Sequence, residues 1–193
     1  MQYVDMNKGN ASRIIAAQLR TCLEEVGATK EYGDIAVVCI GTDRSTGDSL
    51  GPLVGYKLQN IKSSTVKVYG SLESPVHAKN LNDKIREINS SHDKPLILAV
   101  NACLGKVEHV GFINVCKGSI IPGSGVSKDL PPVGDVSVKG IVNMGGFMDL
   151  MVLQNTRLGM VMKMAEIIAS AIRRIAVARG GEKHESYRYR QES

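Results

Sequence analysis

Residues 35–52 read IAVVCIGTDRSTGDSLGP, and no other stretch restricts the fold of this chain as strongly. Ile35, Val37, Val38 and Ile40 form a β-branched apolar run suited to a buried strand, and the run stops at Gly41. A polar loop follows from Thr42 to Asp48. A helical pattern restarts at Leu50-Gly51-Pro52, where proline suits a first turn because its missing N–H is not needed there. A buried strand, a polar loop and a helix start together mark the edge at which open α/β sheets place their ligand sites. Asp48 closes that loop.

The same alternation runs through the rest of the chain. Ile14, Ile15, Leu19, Leu23 and Val26 space an amphipathic helix over Asn10–Val26, with Asn10 as its cap and Gly27 as its stop. A helix is expected from about Leu50 to Gln59, a short strand over Lys67–Gly70 and a helix over His77–Ile88. A third strand, Leu96–Val100, is expected to end at Asn101. Phe112–Cys116 and Val136–Val142 read as two further strands. Residues 118–132, GSIIPGSGVSKDLPP, carry no period, and a loop of that length in a compact domain is commonly functional. Phe147–Ala178 is helical with a break near Asn155, and its methionine-rich stripe reads as core. The expectation is one α/β domain over 1–179, a three-layer sandwich around a mostly parallel, doubly wound sheet, followed by a polar, disordered tail over 180–193.

Composition narrows the partners. The charge of +5 is spread along the chain and aromatic residues make up only 4%, with no Trp, so a stacking platform for nucleic acid is not expected. No apolar run reaches the ~18 residues of a membrane span, and no basic-then-apolar leader opens the chain, which reads as cytoplasmic. Cys22, Cys39, Cys103 and Cys116 lie far apart without a CxxC pair, as reduced core thiols do.

Several signatures are absent: GxGxxG, GxxxxGK[ST] and the GxSxG nucleophile elbow. His77, His92, His109 and His184 show no ligand spacing, so neither a metal site nor a cofactor is expected. What remains is two strand ends. In a parallel sheet, the loop carrying Asp48 and the residue Asn101 emerge at one edge and can converge. Two carboxylates there can share a proton and activate water, whereas a carboxamide takes no proton near neutral pH. Each residue also has a plainer reading. Asp48 suits the N-cap of the helix starting near Ser49, Asp43 and Arg44 suit a solvated loop pair, and Asn101 suits a turn.

GTDRSTGDSLGP, ILAVNACLGK, PGSGVSKDLPPVGD and GIVNMGGFM…LQNTRL together resemble the sporulation protein YyaC family over about Ile35–Ile172. More distantly the chain is similar to the spore germination protease, through Gly41, Thr46, Asp48, Leu50, Gly51, Pro52 and the run Pro122–Val126, and beyond it to hydrogenase maturation proteases. The resemblance implies an acid-type endopeptidase of the forespore or spore core acting on small acid-soluble spore proteins, with Asp48 as catalytic carboxylate. It places the family's second carboxylate at Asn101, where this chain carries a carboxamide. Asn101 is then expected to orient water or the scissile carbonyl. Thr42, Asp43 and Thr46 are the loop's candidates to hold substrate, and Gly123, Ser124 and Gly125 are the candidates to offer backbone N–H groups to it. The rival readings are a non-catalytic peptide-binding homologue and a metal-dependent maturation peptidase with His109 as its imidazole. A homo-oligomer is compatible with either.

Overall fold

The computed structural model describes residues 3–27, 32–122, 131–146 and 148–191, with side chains as far as Arg179. In chain order the elements are β1 (Tyr3–Asp5), α1 (Ala11–Gly27), β2 (Ile35–Cys39), α2 (Leu50–Leu58), β3 (Val66–Tyr69), α3 (Leu81–Ser91), β4 (Leu96–Gly105), β5 (Phe112–Lys117), β6 (Val136–Met144), α4 (Asp149–Gln154) and α5 (Leu158–Gln191). Single 3₁₀ turns occupy Gly47–Ser49 and Val107–His109.

The strands form one six-stranded sheet in the order β1-β5-β6-β4-β2-β3. Strands β6, β4, β2 and β3 are parallel, β5 runs antiparallel to β6, and β1 antiparallel to β5. The reversal at β5 follows from chain length. Only the short turn around Val107–His109 separates β4 from β5, far less than the dozen or more residues a parallel crossover requires. The three-residue strand β1 was not anticipated, because so short a run carries no period to detect.

Two apolar clusters hold the layers together. On one face Ile15, Leu19 and Leu23 of α1, Leu50 and Val54 of α2, and Val161, Met164, Ile168 and Ile172 of α5 pack on Val37, Val100 and Val138 of the sheet. On the other face Leu81 and Ile88 of α3, with Val76, Ile120 and Val133, cover Ala36, Val38 and Ala99. Each fully buried Leu or Ile contributes about 1.5–3 kcal/mol relative to exposure. The result is the expected three-layer α/β sandwich.

Among the boundaries that differ from the sequence reading, two move site residues. Strand β4 continues to Gly105, so Asn101 lies inside the strand and pairs with Lys139 of β6 instead of ending it. Helix α3 begins at Leu81, which leaves His77 in the preceding turn. The long C-terminal helix does break at Asn155, where Thr156 Oγ1 turns back to the Val152 carbonyl at 2.9 Å. The expected core stripe is only partly buried: Val161, Met164, Ala165, Ile168 and Ile172 are in the core, but Met148, Met151, Leu158 and Met162 are exposed. The backbone of α5 continues through 180–191.

Candidate active site

Strand order places a topological switch point between β2 and β4. The chain leaves β2 through α2 on one face to reach β3, then returns through α3 on the opposite face to β4. Crossovers on opposite faces open a crevice beyond the carboxyl ends of those two strands. A cavity of about 540 Å³ lies there, lined by Gly41, Thr42, Ser45 and Asp48 after β2 and by Asn101 to Leu104 of β4. His77, Lys139, Ser119–Pro122, and Asp149, Leu150 and Leu153 of α4 complete its wall.

The loop sequence explains how Asp48 arrives there. The Thr42 N–H donates to the Asp48 carbonyl at 3.1 Å, and the Arg44 N–H donates to Thr42 Oγ1 at 3.3 Å, which curls the loop. Ser49 Oγ donates to the Thr46 carbonyl at 2.6 Å and tightens the turn carrying Asp48. Gly41, at φ +145, is where a side chain would strike the Asp48 carbonyl, and a side chain at Gly51 would strike the Ile40 carbonyl. Both glycines let the start of α2 press against the end of β2.

Asp48 does not cap α2. It lies within the 3₁₀ turn, the cap position of α2 falls to Ser49, and neither Thr46 nor Ser49 makes a side-chain cap bond. Its carboxyl is instead desolvated in the cavity, and burial pushes it from 3.8 up to about 6. A hydrogen bond from the Thr42 backbone and the nearby His77 ring oppose part of that rise.

Asn101 stands half-buried in the same cavity, on the strand beyond the last residue of β2 that pairs with β4. Its cross-strand partner Lys139 supplies a cation to the wall. The Cys103 thiol is raised to about 11 by burial, with Lys139 opposing the rise, so it stays protonated at neutral pH and is no nucleophile. Ser45 Oγ is buried with no hydrogen-bond partner among the described residues, an acceptor and donor open to a bound group or water.

The other expected residues divide. Thr42 lines the cavity, whereas Asp43 is exposed and neither Asp43 nor Thr46 is part of its wall. Gly123, Ser124 and Gly125 lie outside the described residues. Pro122, immediately before them, does line the cavity, and reciprocal bonds between Ile120 and Val133 at 2.9 and 2.8 Å pin the base of that loop. His109 is not in the wall; its ring stacks on Tyr3 at 4.5 Å. Among the described residues no group of three or more His, Cys, Asp or Glu side chains is placed to hold a metal ion. No helix among them is long and apolar enough to cross a membrane.

Sequence reasoning missed His77, Lys139 and Asp149. His77 and Asp149 stand beside elements whose boundaries shift by a few residues, and Lys139 shows itself only through its register with Asn101.

Comparison with known proteins agrees with this architecture. The crystal structure of a [NiFe] hydrogenase maturation protease, HycI from Thermococcus kodakarensis KOD1, superposes with a TM-score of 0.52 at 21% identity, over 80% of this chain and 97% of that one. That likeness is one of fold. The uncharacterized protein YyaC of Bacillus subtilis (strain 168) is 49% identical over 171 residues, 89% of this chain and 82% of its own length. A family model described as protein of unknown function (DUF1256) matches residues 3–171. The chain therefore belongs to the DUF1256 family and is a relative of YyaC.

Proposed function

We propose that this protein is a sporulation-associated peptidase of the germination-protease type, acting on small acid-soluble spore proteins at the cavity between β2 and β4. One observation carries the reading. Asp48 is a desolvated carboxyl at the switch point, with its proton affinity raised to about 6, where a group both takes and returns protons near neutral pH. Ionised Asp48 takes a proton from water as the water oxygen attacks the scissile carbonyl carbon. When the tetrahedral intermediate collapses, the C–N bond breaks and the protonated Asp48 gives its proton to the departing amine. Asn101 donates a hydrogen bond that orients the attacking water.

Cleavage of acid-soluble spore proteins by this chain, by Asn101→Asp and by Asp48→Asn tests the proposal. The reading expects weak cleavage by the natural chain, and a gain on the order of 10²-fold or more in the Asn101→Asp form, the usual worth of a general acid or base. It expects none from Asp48→Asn. An inert Asn101→Asp form contradicts it.

The carboxamide at Asn101 favours one second reading, a protein that keeps the cleft and holds a spore peptide without cutting it. That reading expects affinity for the peptide and no turnover even after Asn101→Asp.

A further inference from the structure

We propose that His77 is a further catalytic group of this cavity, whose neutral imidazole donates its Nε2 hydrogen to the carbonyl oxygen of the bound amide. The inference rests on the peptidase reading and assigns within it the electrophile that Asn101 and Asp48 leave unfilled.

The turn before α3 is built to hold this ring. The Gly41 N–H donates to the Val76 carbonyl at 2.8 Å, and Ile40 and Val76 form a parallel bridge, so the residue before His77 is bonded to the residues that lead into the Asp48 loop. The His77 N–H donates to Asn80 Oδ1 at 2.8 Å, while Asn80 Nδ2 donates to the Pro75 carbonyl at 3.0 Å. The His77 carbonyl in turn accepts the N–H groups of Asn80 and Leu81 at 3.0 and 2.9 Å. Both backbone polar groups of His77 are thereby spoken for.

The ring itself is oriented chemically. The Lys79 N–H donates to Nδ1 of His77 at 3.3 Å, which requires a lone pair on Nδ1 and leaves the proton of the neutral ring on Nε2. The hydrogen bonds of His77 are made by its backbone groups and Nδ1, none of them by Nε2 among the described residues, and His77 lines the cavity together with Asp48 and Asn101. An N–H donor held in the same cavity as a desolvated carboxyl can stabilise charge developing on a carbonyl oxygen. His77 acts in this step as a hydrogen-bond donor to the carbonyl oxygen. The proton cycle stays with Asp48. Water gives it a proton as the C–O bond forms, and the departing amine receives that proton as C–N breaks.

The test uses the full chain and its Asn101→Asp form, each with His77→Ala and His77→Gln. Turnover of an acid-soluble spore protein is read alongside the His77 ring nitrogens by long-range ¹⁵N–¹H NMR. The assignment expects Nδ1 unprotonated and Nε2 protonated at neutral pH. It expects His77→Ala to lower kcat by about 10²-fold with KM little changed, the loss typical of one oxyanion donor. His77→Gln, which keeps an N–H donor, should recover part of that loss. A ring with its proton on Nδ1, or turnover indifferent to both substitutions, overturns the assignment while leaving the peptidase reading standing. Absence of turnover in every form, Asn101→Asp included, sinks the peptidase reading and this assignment together.

Discussion

The Thr42 N–H donates to the carbonyl of Asp48 at 3.1 Å, tying the residues between them into a closed loop at the end of β2. This bond fixes where the Asp48 carboxyl stands. The backbone that follows enters a 3₁₀ turn and then α2, and the side chain is left in the crevice instead of over the helix end. The same Thr42 backbone offsets part of the desolvation of that carboxyl.

Asp48 makes the folded protein less stable above its own midpoint. Its carboxyl titrates at about 6 in the fold against 3.8 for a free group, so the folded state holds the proton more tightly than the unfolded chain. The penalty is absent below pH 3.8, grows between 3.8 and about 6, and is complete above that. Asp48→Asn should therefore raise unfolding stability by about 3 kcal/mol at pH 8 and leave it unchanged near pH 3.5. Denaturant midpoints at the two pH values measure this. An equal effect at both would mean that the carboxyl is not desolvated.

Gly41→Ala and Gly51→Ala test the loop closure. Each added methyl meets backbone carbonyl oxygen, of Asp48 and Ile40 respectively, and neither neighbour is a flexible side-chain end. Each substitution should cost about 3 kcal/mol in chemical denaturation. Gly159→Ala, with nothing close to its missing Cβ, is the control expected to lose no stability.

Residues 35–52 announced the strand, the loop and the helix start because a buried strand and a Gly/Pro-punctuated turn leave local marks. The layer order followed from the alternation of strands and helices. The depth of β4 was not legible. Asn101 ends the apolar run, yet pairing with Lys139 carries the strand onward, and pairing is a property of two distant segments. His77 was hidden for a similar reason. Its spacing with Leu81, Ile85 and Ile88 suits a helix, but Asn80 clamps the turn and delays the helix to Leu81. The short β1 depends on an antiparallel partner and carries too few residues to register as a strand.

Asn80→Ala tests that clamp. It removes the acceptor of the His77 N–H and the donor to the Pro75 carbonyl, and should cost about 1–2 kcal/mol. The larger expected effect is on the ring: the proton of neutral His77 should distribute between Nδ1 and Nε2 once the turn relaxes. ¹⁵N NMR of His77 in the variant reads this, and an unchanged ring would show that Asn80 does not position it.

A carboxyl introduced by Asn101→Asp would face Lys139 across the β4–β6 pair. The ammonium should hold the new group ionised, while its charge raises Asp48 further above about 6. The pair should titrate with two well-separated apparent midpoints, read by ¹³C NMR of the carboxyls. In the further variant with Lys139→Met the lower midpoint should rise.

The most direct measurement is the titration of the Asp48 carboxyl in the natural chain, followed by ¹³C NMR and assigned by its loss in Asp48→Asn. Burial of the carboxyl at the switch point predicts a midpoint near 6. A midpoint at the free-group value of 3.8 would place Asp48 in solvent and contradict its role at the centre of the site.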